Sequence, residues 1–585
     1  MNYRYWLQHW EKHPVVAWTL SILCLSLVTW LAFLRNLGSI GLIDETEPLF
    51  AEAARQMTVT DDWITPYYNG KTRFDKPPLI YWLIAIAYKI IGVNEWAVRL
   101  PSALAAIALT CFCFYSLIVI NKWQSQDRFL PQKVWLWAGF SATITAFNIH
   151  TIAWGRSGVS DMLLSSCMGT ALLAFFLGYA AGKPQVKARW YLAFYILSAL
   201  AVLAKGPVGI VQPGLIIASF LLYLGKAKEV LQEMPLRRGL LIFMAIALPW
   251  YIMVTWVHGL DYLESFFGYH NLERFTTVVN KHSAPWYFYF IVVLVGFAPW
   301  SLYLPAAIGQ TKFWQRRWWR HQPRCHHLSL FALFWFASIF GFFTIAVTKL
   351  PSYVLPLMPA AAILVSQLLR HPDKPSGKNY PMLWSTIANV LFACAVAGVL
   401  LYSPRWLGED PAMPNLPQAL LESGLIIRAV SILTLAAAAA TIFILARRIT
   451  WLWGVNLLAF IAITIFAIAP LFSLIDGQRQ LPLRQLAQTV VEVRLPAEKL
   501  IMIGFEKPSL VFYTGQPVKY YLQAIKAVRR MKQMAVREPA PETILILGES
   551  KKIAKIGFSD RQYQYLGKAG AYELLRVSKH EFLKL

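Results

Sequence analysis

Runs of about 20 apolar residues, enough to cross roughly 30 Å of hydrocarbon at 1.5 Å per residue, recur along the chain. They lie near 15–36, 98–120, 134–153, 160–181, 190–204, 207–224, 239–257, 286–308, 328–348, 350–369, 382–402, 424–446 and 450–473. The pattern predicts a mainly α, polytopic helical membrane protein of about thirteen spans. The run at 190–204 is short and depends on its Trp-Tyr start to reach the interface. From about residue 474 the period changes. LPLRQLAQTVVEVR repeats at helical spacing, KLIMIGF, SLVFYTG and TILILGE read as strands, and YQYLGKAGAYELLRV reads as a hairpin around a Gly turn. The predicted organisation is a transmembrane domain over 1–473 followed by a small soluble α/β domain over 474–585.

One apolar segment is ambiguous. Residues 77–91, PPLIYWLIAIAYKII, tempt a fourteenth span, but the stretch is short, opens on two prolines and carries Lys89. It suits a juxtamembrane helix inside a first outward loop, 37–97. Charge parity supports this. With the segment lying flat, the basic loops 121–133, 182–189, 225–238, 309–327, 370–378 and 446–449 all fall on the side of the N-terminus, as the positive-inside rule expects. The loop and the tail then face the periplasm or exterior of an inner (plasma) membrane.

Composition agrees. Of 585 residues, 57% are hydrophobic and 15% charged, with a mean hydropathy of +0.47, which excludes one long soluble core. The net charge of +25 sits in short inter-span loops, the densest alternating Arg with Trp as interfacial anchors do, so nucleic acid is not the expected partner. The six cysteines fall in spans or a basic loop, without disulfide or zinc-type spacing. The N-terminus, MNYRYWLQHWEKH, lacks a small-residue cleavage site and reads as the start of a retained first helix.

With that parity the unusual polar residues collect on one face: Asp44, Glu45, Glu47, Glu52, Asp75, Lys76, Arg156, Asp161, Lys205, His270, Glu273, Arg274, His282, Lys349 and Tyr353. Charge at a membrane face is costly unless it pairs, lines a wet cavity or handles a polar substrate. A one-sided set of both signs suits an anionic substrate together with a general base. For a group leaving a lipid-linked phosphate, cations must hold the phosphate and a carboxylate must take the proton of the attacking hydroxyl. Arg274, Lys76, Lys205 and Lys349 are the candidate cations. Each has a plainer reading. Lys205 and Lys349 stand where spans end and can snorkel. Arg156 and Asp161 can brace the start of the next helix, and His270 can be a satisfied loop residue.

At these residues the chain resembles the GT-C membrane glycosyltransferases, in the branch of the lipid A aminoarabinose transferase and the PMT-type protein mannosyltransferases. The resemblance is carried in order by the acidic block with AEAARQM, DDWITPYYNGKTRFDKPPLIYW, AVRLPSAL, GVSDMLL, LAKGPVG, YHNLERF with PWYFY, and KLPSYVLPLMPA, over about the first 370 residues. It implies an inverting transfer of one hexosyl or pentosyl unit from a polyprenyl-phosphate donor. The acceptor would be a hydroxyl on a lipid, glycan or protein at the outer face, and no nucleotide-sugar donor would be used. It also implies a catalytic acid in the first outward loop: Asp44 helped by Glu45 if the Asp-Glu pair is matched, Glu47 if the register is set on AEAAR. Asp75 and Lys76 match the acid-Lys pair beside the donor phosphate, and His270 and Arg274 match residues of the same pocket. No cofactor is required by the resemblance, though Asp75 and His270 offer N and O ligands that zinc accepts. The sequence departs from the family pattern after the Asp-Glu pair, where Pro48 or Leu49 replaces the usual arginine.

Two other classes compete. A transporter or flippase of a polyprenyl-linked glycan would bind at the midplane between internal repeats, but no repeat relates the two halves. An accessory protein whose tail is the recognition module would need a constellation in the tail, and none stands out there.

Overall fold

The computed structural model describes residues 14–125, 132–273, 283–370, 380–408, 410–446, 448, 451–537 and 542–584. Ten helices among them are long and apolar enough to cross a membrane, or eleven if the pair Phe288–Gly296 and Trp300–Gln310, bent by 111°, forms one span. The chain is a multi-pass membrane protein, and the expected count of about thirteen spans is approximate, because three of the expected spans are not single long helices. The expected span 134–153 is broken into Gln132–Ala146 and Ile149–Gly155. The side chain of Asn148 accepts from Thr151 N at 2.8 Å and so starts a new helix. The expected span 207–224 is a 17-residue helix, Val208–Leu224, and the expected span 286–308 is the bent pair, broken at Pro299, which has no N–H to donate.

The ambiguous segment forms helix Leu79–Ile91. Thirteen residues reach only about 20 Å, too short to cross. It packs into the first loop instead. Tyr81 stacks on Phe50 with centroids 5.4 Å apart, Tyr88 Oη donates to Ala51 O at 3.1 Å, and Lys89 lies 4.7 Å over the Trp63 ring.

The molecule has two chemically distinct ends. Lys187 and Arg324 pair with Glu233 at 2.7 Å each, Arg324 also meets Glu229, and Gln124 donates to Cys325 O. Four basic loops therefore converge. Helix Pro184–Lys205 begins beside this cluster and ends at Lys205, about 27 Å away along its axis. There it pairs with Asp161 and lines a cavity with Asp75 of the first loop.

Beyond the last long apolar helix, which runs to Arg479, helix Leu481–Val493 leads into a five-stranded sheet. After the small hairpin β1 (Tyr67–Tyr68) and β2 (Lys71–Thr72) of the first loop, the tail supplies β3 (Lys499–Ile503), β4 (Val518–Tyr521), β5 (Thr543–Glu549), β6 (Tyr563–Ala569) and β7 (Tyr572–Ser578). Their order is β4-β3-β5-β7-β6, with β3 parallel to β4 and β5 and the other pairs antiparallel. Both faces are covered. Leu500, Met502, Leu545 and Leu547 pack on helix Leu481–Val493, while Ile501, Ile503, Ile544 and Ile546 pack under Ala527 and Met531. The strands expected at KLIMIGF and TILILGE and the C-terminal hairpin are present. SLVFYTG is instead helix Ser509–Thr514, opened by Pro508 and closed at Gly515 with φ +64°.

Candidate functional site

The first loop is built around a buried ion pair. Glu47, 3% exposed, opens helix Glu47–Thr60 and receives Arg99 Nε and Nη2 at 2.8 Å each. It also accepts from the backbone N–H of Ile43 at 2.9 Å and of Gly158 at 2.8 Å. Arg99 spends its remaining donors on the carbonyls of Leu37, Ile40 and Gly41. Both groups are saturated and hold the loop in shape. Glu52 is likewise closed off by Arg55 and Gln56.

Asp44 lies in the same loop but faces the other way, towards the tail. Its Oδ1 accepts from Ser509 N at 2.9 Å and its Oδ2 from Ser509 Oγ at 2.7 Å. The Gln480 amide, with its nitrogen turned to the carboxylate, adds a contact of 3.1 Å. Burial raises the Asp44 pKa from 3.8, against the lowering effect of the Ser509 and Gln480 hydrogen bonds and of the Lys507 charge. Glu45 is exposed. Tyr68, on β1, sits within the fields of both Asp44 and Arg73, linking the loop acid to the next cluster.

That cluster follows the hairpin. Asp75 accepts from Arg73 Nη2 at 2.6 Å and from Tyr81 Oη at 3.1 Å, and Lys76 Nζ lies 3.7 Å from its carboxylate. Asp75 and Lys76 line a cavity of about 510 Å³ together with Lys205, Thr348, Ser352 and Tyr353. Asp161, at the start of helix Ser160–Ala180, pairs with Lys205 at 2.5 Å, and Lys205 lies 5.4 Å over the Tyr353 ring. The rest of the lining is apolar, including Leu164, Met168, Val208, Phe266, Phe342 and Phe343. Among the five charged groups at this end, Arg73, Lys76 and Lys205 outnumber Asp75 and Asp161 by three to two.

Not every expected residue joins this set. Lys349, buried, turns its ammonium to the carbonyls of Thr344 (2.8 Å) and Ala346 (2.6 Å), where it caps the end of helix Leu328–Ile345. Arg156 donates to Ala32 O and Asn36 O, bracing the end of the first helix. Burial and the neighbouring Arg99 and Arg35 lower its pKa to about 10. The side chains of His270 and Glu273, and the whole of Arg274 and His282, lie outside the described residues. Among the described residues no three His, Cys, Asp or Glu side chains gather as a metal site.

Sequence reasoning did not nominate Arg99, Arg73, Gln480 or Ser509. Arg99 stands inside the quoted AVRLPSAL, and an arginine one turn into an otherwise apolar span was a visible signal. The tail residues carried none.

The fold and the cavity define a helical membrane protein with a charged pocket opening into an apolar one, and the chain resembles the GT-C membrane glycosyltransferases. The family model "Dolichyl-phosphate-mannose-protein mannosyltransferase" matches residues 75–253, and "Cyanobacterial RgtA-type glycosyltransferase, C-terminal domain" matches residues 493–585. An undecaprenyl phosphate-alpha-4-amino-4-deoxy-L-arabinose arabinosyl transferase of Shewanella sediminis is 29% identical over 341 residues, 57% of each chain. A second such transferase, from Pseudomonas fluorescens, is 27% identical over 66% of this chain and 62% of its own. The matched stretch thus spans about three fifths of these relatives' length. Among solved structures, ArnT from Cupriavidus metallidurans bound to undecaprenyl phosphate has the same fold, with a TM-score of 0.75 at 20% identity over 95% of this chain and 97% of that one.

Proposed function

We propose that the protein is a polyprenyl-phosphate-sugar-dependent glycosyltransferase that passes one sugar to an acceptor hydroxyl at the outer face of the inner membrane, with inversion. The observation that carries this is the cavity of about 510 Å³ with Lys76 and Lys205 at one end and phenylalanines along its body. Such a shape suits a phosphate head joined to an isoprenoid chain. The names of the relatives support the same donor class, and the donor sugar and acceptor are left at class level: a hexose or pentose, and a lipid, glycan or protein.

In this reading Asp44 is the general base and Glu47 its scaffold, since Glu47 has all its capacity taken by Arg99 and two backbone donors. The acceptor O–H gives its proton to Asp44 as its oxygen bonds to the anomeric carbon. The anomeric carbon–phosphate oxygen bond breaks, and its electron pair leaves on the polyprenyl phosphate. Lys76 and Lys205, with the excess of cations around them, stabilise the charge that develops there. The tail domain sits beside Asp44 on the acceptor side.

The experiment follows radiolabelled sugar from a polyprenyl-phosphate-linked lipid extract into acceptor, using purified wild type and Asp44→Asn. A loss of about 10²- to 10⁴-fold is expected for removal of a general base. Transfer by Asp44→Asn at the wild-type rate would remove the role assigned to this acid.

A further inference from the structure

The base proposed above belongs to the membrane half of the chain, yet the side-chain partners described for it come from the tail. Ser509 gives both its N–H and its hydroxyl to Asp44, and Gln480, 5% exposed, gives its amide. The backbone just before it is held the same way. Gly41 N donates to Asp476 Oδ1 at 2.8 Å, and Leu42 N donates to Tyr513 Oη at 2.9 Å. Tyr513 in turn donates to Glu95 at 3.0 Å, and Arg484 grips Asp476 at 2.6 Å. The hairpin tip adds a reciprocal pair: Asn69 donates to Val518 O at 2.9 Å and accepts from Val518 N at 2.8 Å. The seam is thus a set of directional contacts at residues 41, 42, 44 and 69.

We propose that Ser509, assisted by Gln480, is a positioning residue of the reaction centre, through which the C-terminal domain orients the Asp44 carboxylate towards the acceptor hydroxyl. The proposal rests on the reading of Asp44 as base. An ionised carboxylate offers about four lone-pair sites. Three are taken by Ser509 N, Ser509 Oγ and Gln480, which leaves one direction for the acceptor proton. A carboxylate held by three donors cannot rotate to present another edge, so the tail decides where the accepting lone pair points. The tail also decides how basic it is, because hydrogen bonds to the charged form favour that form.

Other groups facing Asp44 set the background. Lys507 precedes Ser509 by two residues and is cationic, Tyr68 approaches from β1, Tyr520 from β4 and Tyr572 from β7. Glu45, Arg479 and Asp410 surround Lys507. The three tyrosines have their pKa values raised by burial, and Tyr68 is pushed up to about 12. They are neutral across the acidic range, and the part of the acidic limb that moves on Ser509→Ala reports Asp44, the carboxylate that Ser509 touches.

The test compares wild type, Ser509→Ala, Ser509→Thr and Asp44→Asn as full-length proteins in liposomes. It measures radiolabelled sugar transfer from the lipid extract between pH 4 and 9. Loss of one hydrogen bond to a charged group is worth about one pH unit, so Ser509→Ala should carry the acidic limb of kcat/KM upward by about one unit. Ser509→Thr, which keeps the hydroxyl, should restore it. The KM for donor should hold, because the donor cavity is lined by Lys76 and Lys205 and not by the tail. A Ser509→Ala profile superimposable on wild type would overturn the proposal. So would a uniform loss at every pH that Ser509→Thr does not repair, since it would mark a folding defect. Wild-type transfer by Asp44→Asn is a separate result that removes the base itself.

Discussion

Two carboxylates three residues apart in the first loop have different surroundings, and the roles proposed for them differ accordingly. Glu47 is matched charge for charge by Arg99 in a site from which water is excluded, and breaking a buried pair by removing one partner costs about 3–5 kcal/mol because the other charge is left uncompensated. Arg99→Ala and Glu47→Gln should both lower the unfolding temperature of the detergent-solubilised protein by several degrees, whereas Asp44→Asn should leave it near wild type while abolishing transfer. A stable, active Glu47→Gln would contradict the clamp. The raised pKa of Asp44 points the same way. The folded chain holds this proton more tightly than the unfolded one, so between pH 3.8 and the folded value stability falls as pH rises. The ionised form that can act as a base is obtained at that expense.

Glu498 shows how the tail holds together at the scale of its elements. It sits before β3 with its side chain fully buried, and burial opposes its charge. That cost is outweighed by Arg576 on β7 (2.9 and 3.1 Å), Thr543 on β5 (2.7 Å) and Leu495 N (3.0 Å). One side chain thereby ties three strands to the end of helix Leu481–Val493. Its folded pKa lies below the unfolded 4.5, so the stability it supplies is present above pH 4.5 and drains away as pH falls through the folded value. Glu498→Gln should unfold the tail at lower temperature at pH 7 and flatten the acid dependence of tail unfolding, followed by hydrogen exchange of β5 and β7. Equal exchange in the two proteins would refute the clasp. Much of this domain was legible in the sequence: alternating Ile and Leu in TILILGE marked a strand covered on both faces, and LPLRQLAQTVVEVR marked its helix. SLVFYTG misled because a short apolar run, Leu510–Tyr513, satisfies strand and helix patterns alike, and the flanking Pro508 and Gly515 decided for helix. The Asn69-Gly70 hairpin, with φ +52° and +75°, carried a readable turn signal. Contacts across the seam, such as Ser509 to Asp44, join positions 465 residues apart, and no local pattern encodes them.

For the whole molecule, orientation follows from which groups meet. Lys187, Glu233, Arg324 and Glu229 tie basic loops together at one end, and the first loop, Lys205 and the tail meet at the other. The helix between them is long enough to cross a bilayer. The approximate span count does not disturb this, because the departures from single long helices are local. A broken helix, a short helix and a bent pair change how a segment is built, whereas the side on which two loops lie is fixed by their contact. Positive-inside bias predicts the basic end in the cytoplasm and the Asp44 seam outside. In a background freed of the exposed Cys24, Cys111 and Cys394, single cysteines at exposed Lys71 in the hairpin, Lys551 in the tail and Arg238 in a basic loop separate the alternatives. A membrane-impermeant maleimide applied to intact spheroplasts should label K71C and K551C but reach R238C only after permeabilisation. Labelling of R238C alone would invert the orientation and with it the outer-face transfer. Labelling of K71C without K551C would be incompatible with the Asn69–Val518 pairing, and so with a tail that reaches the base at all.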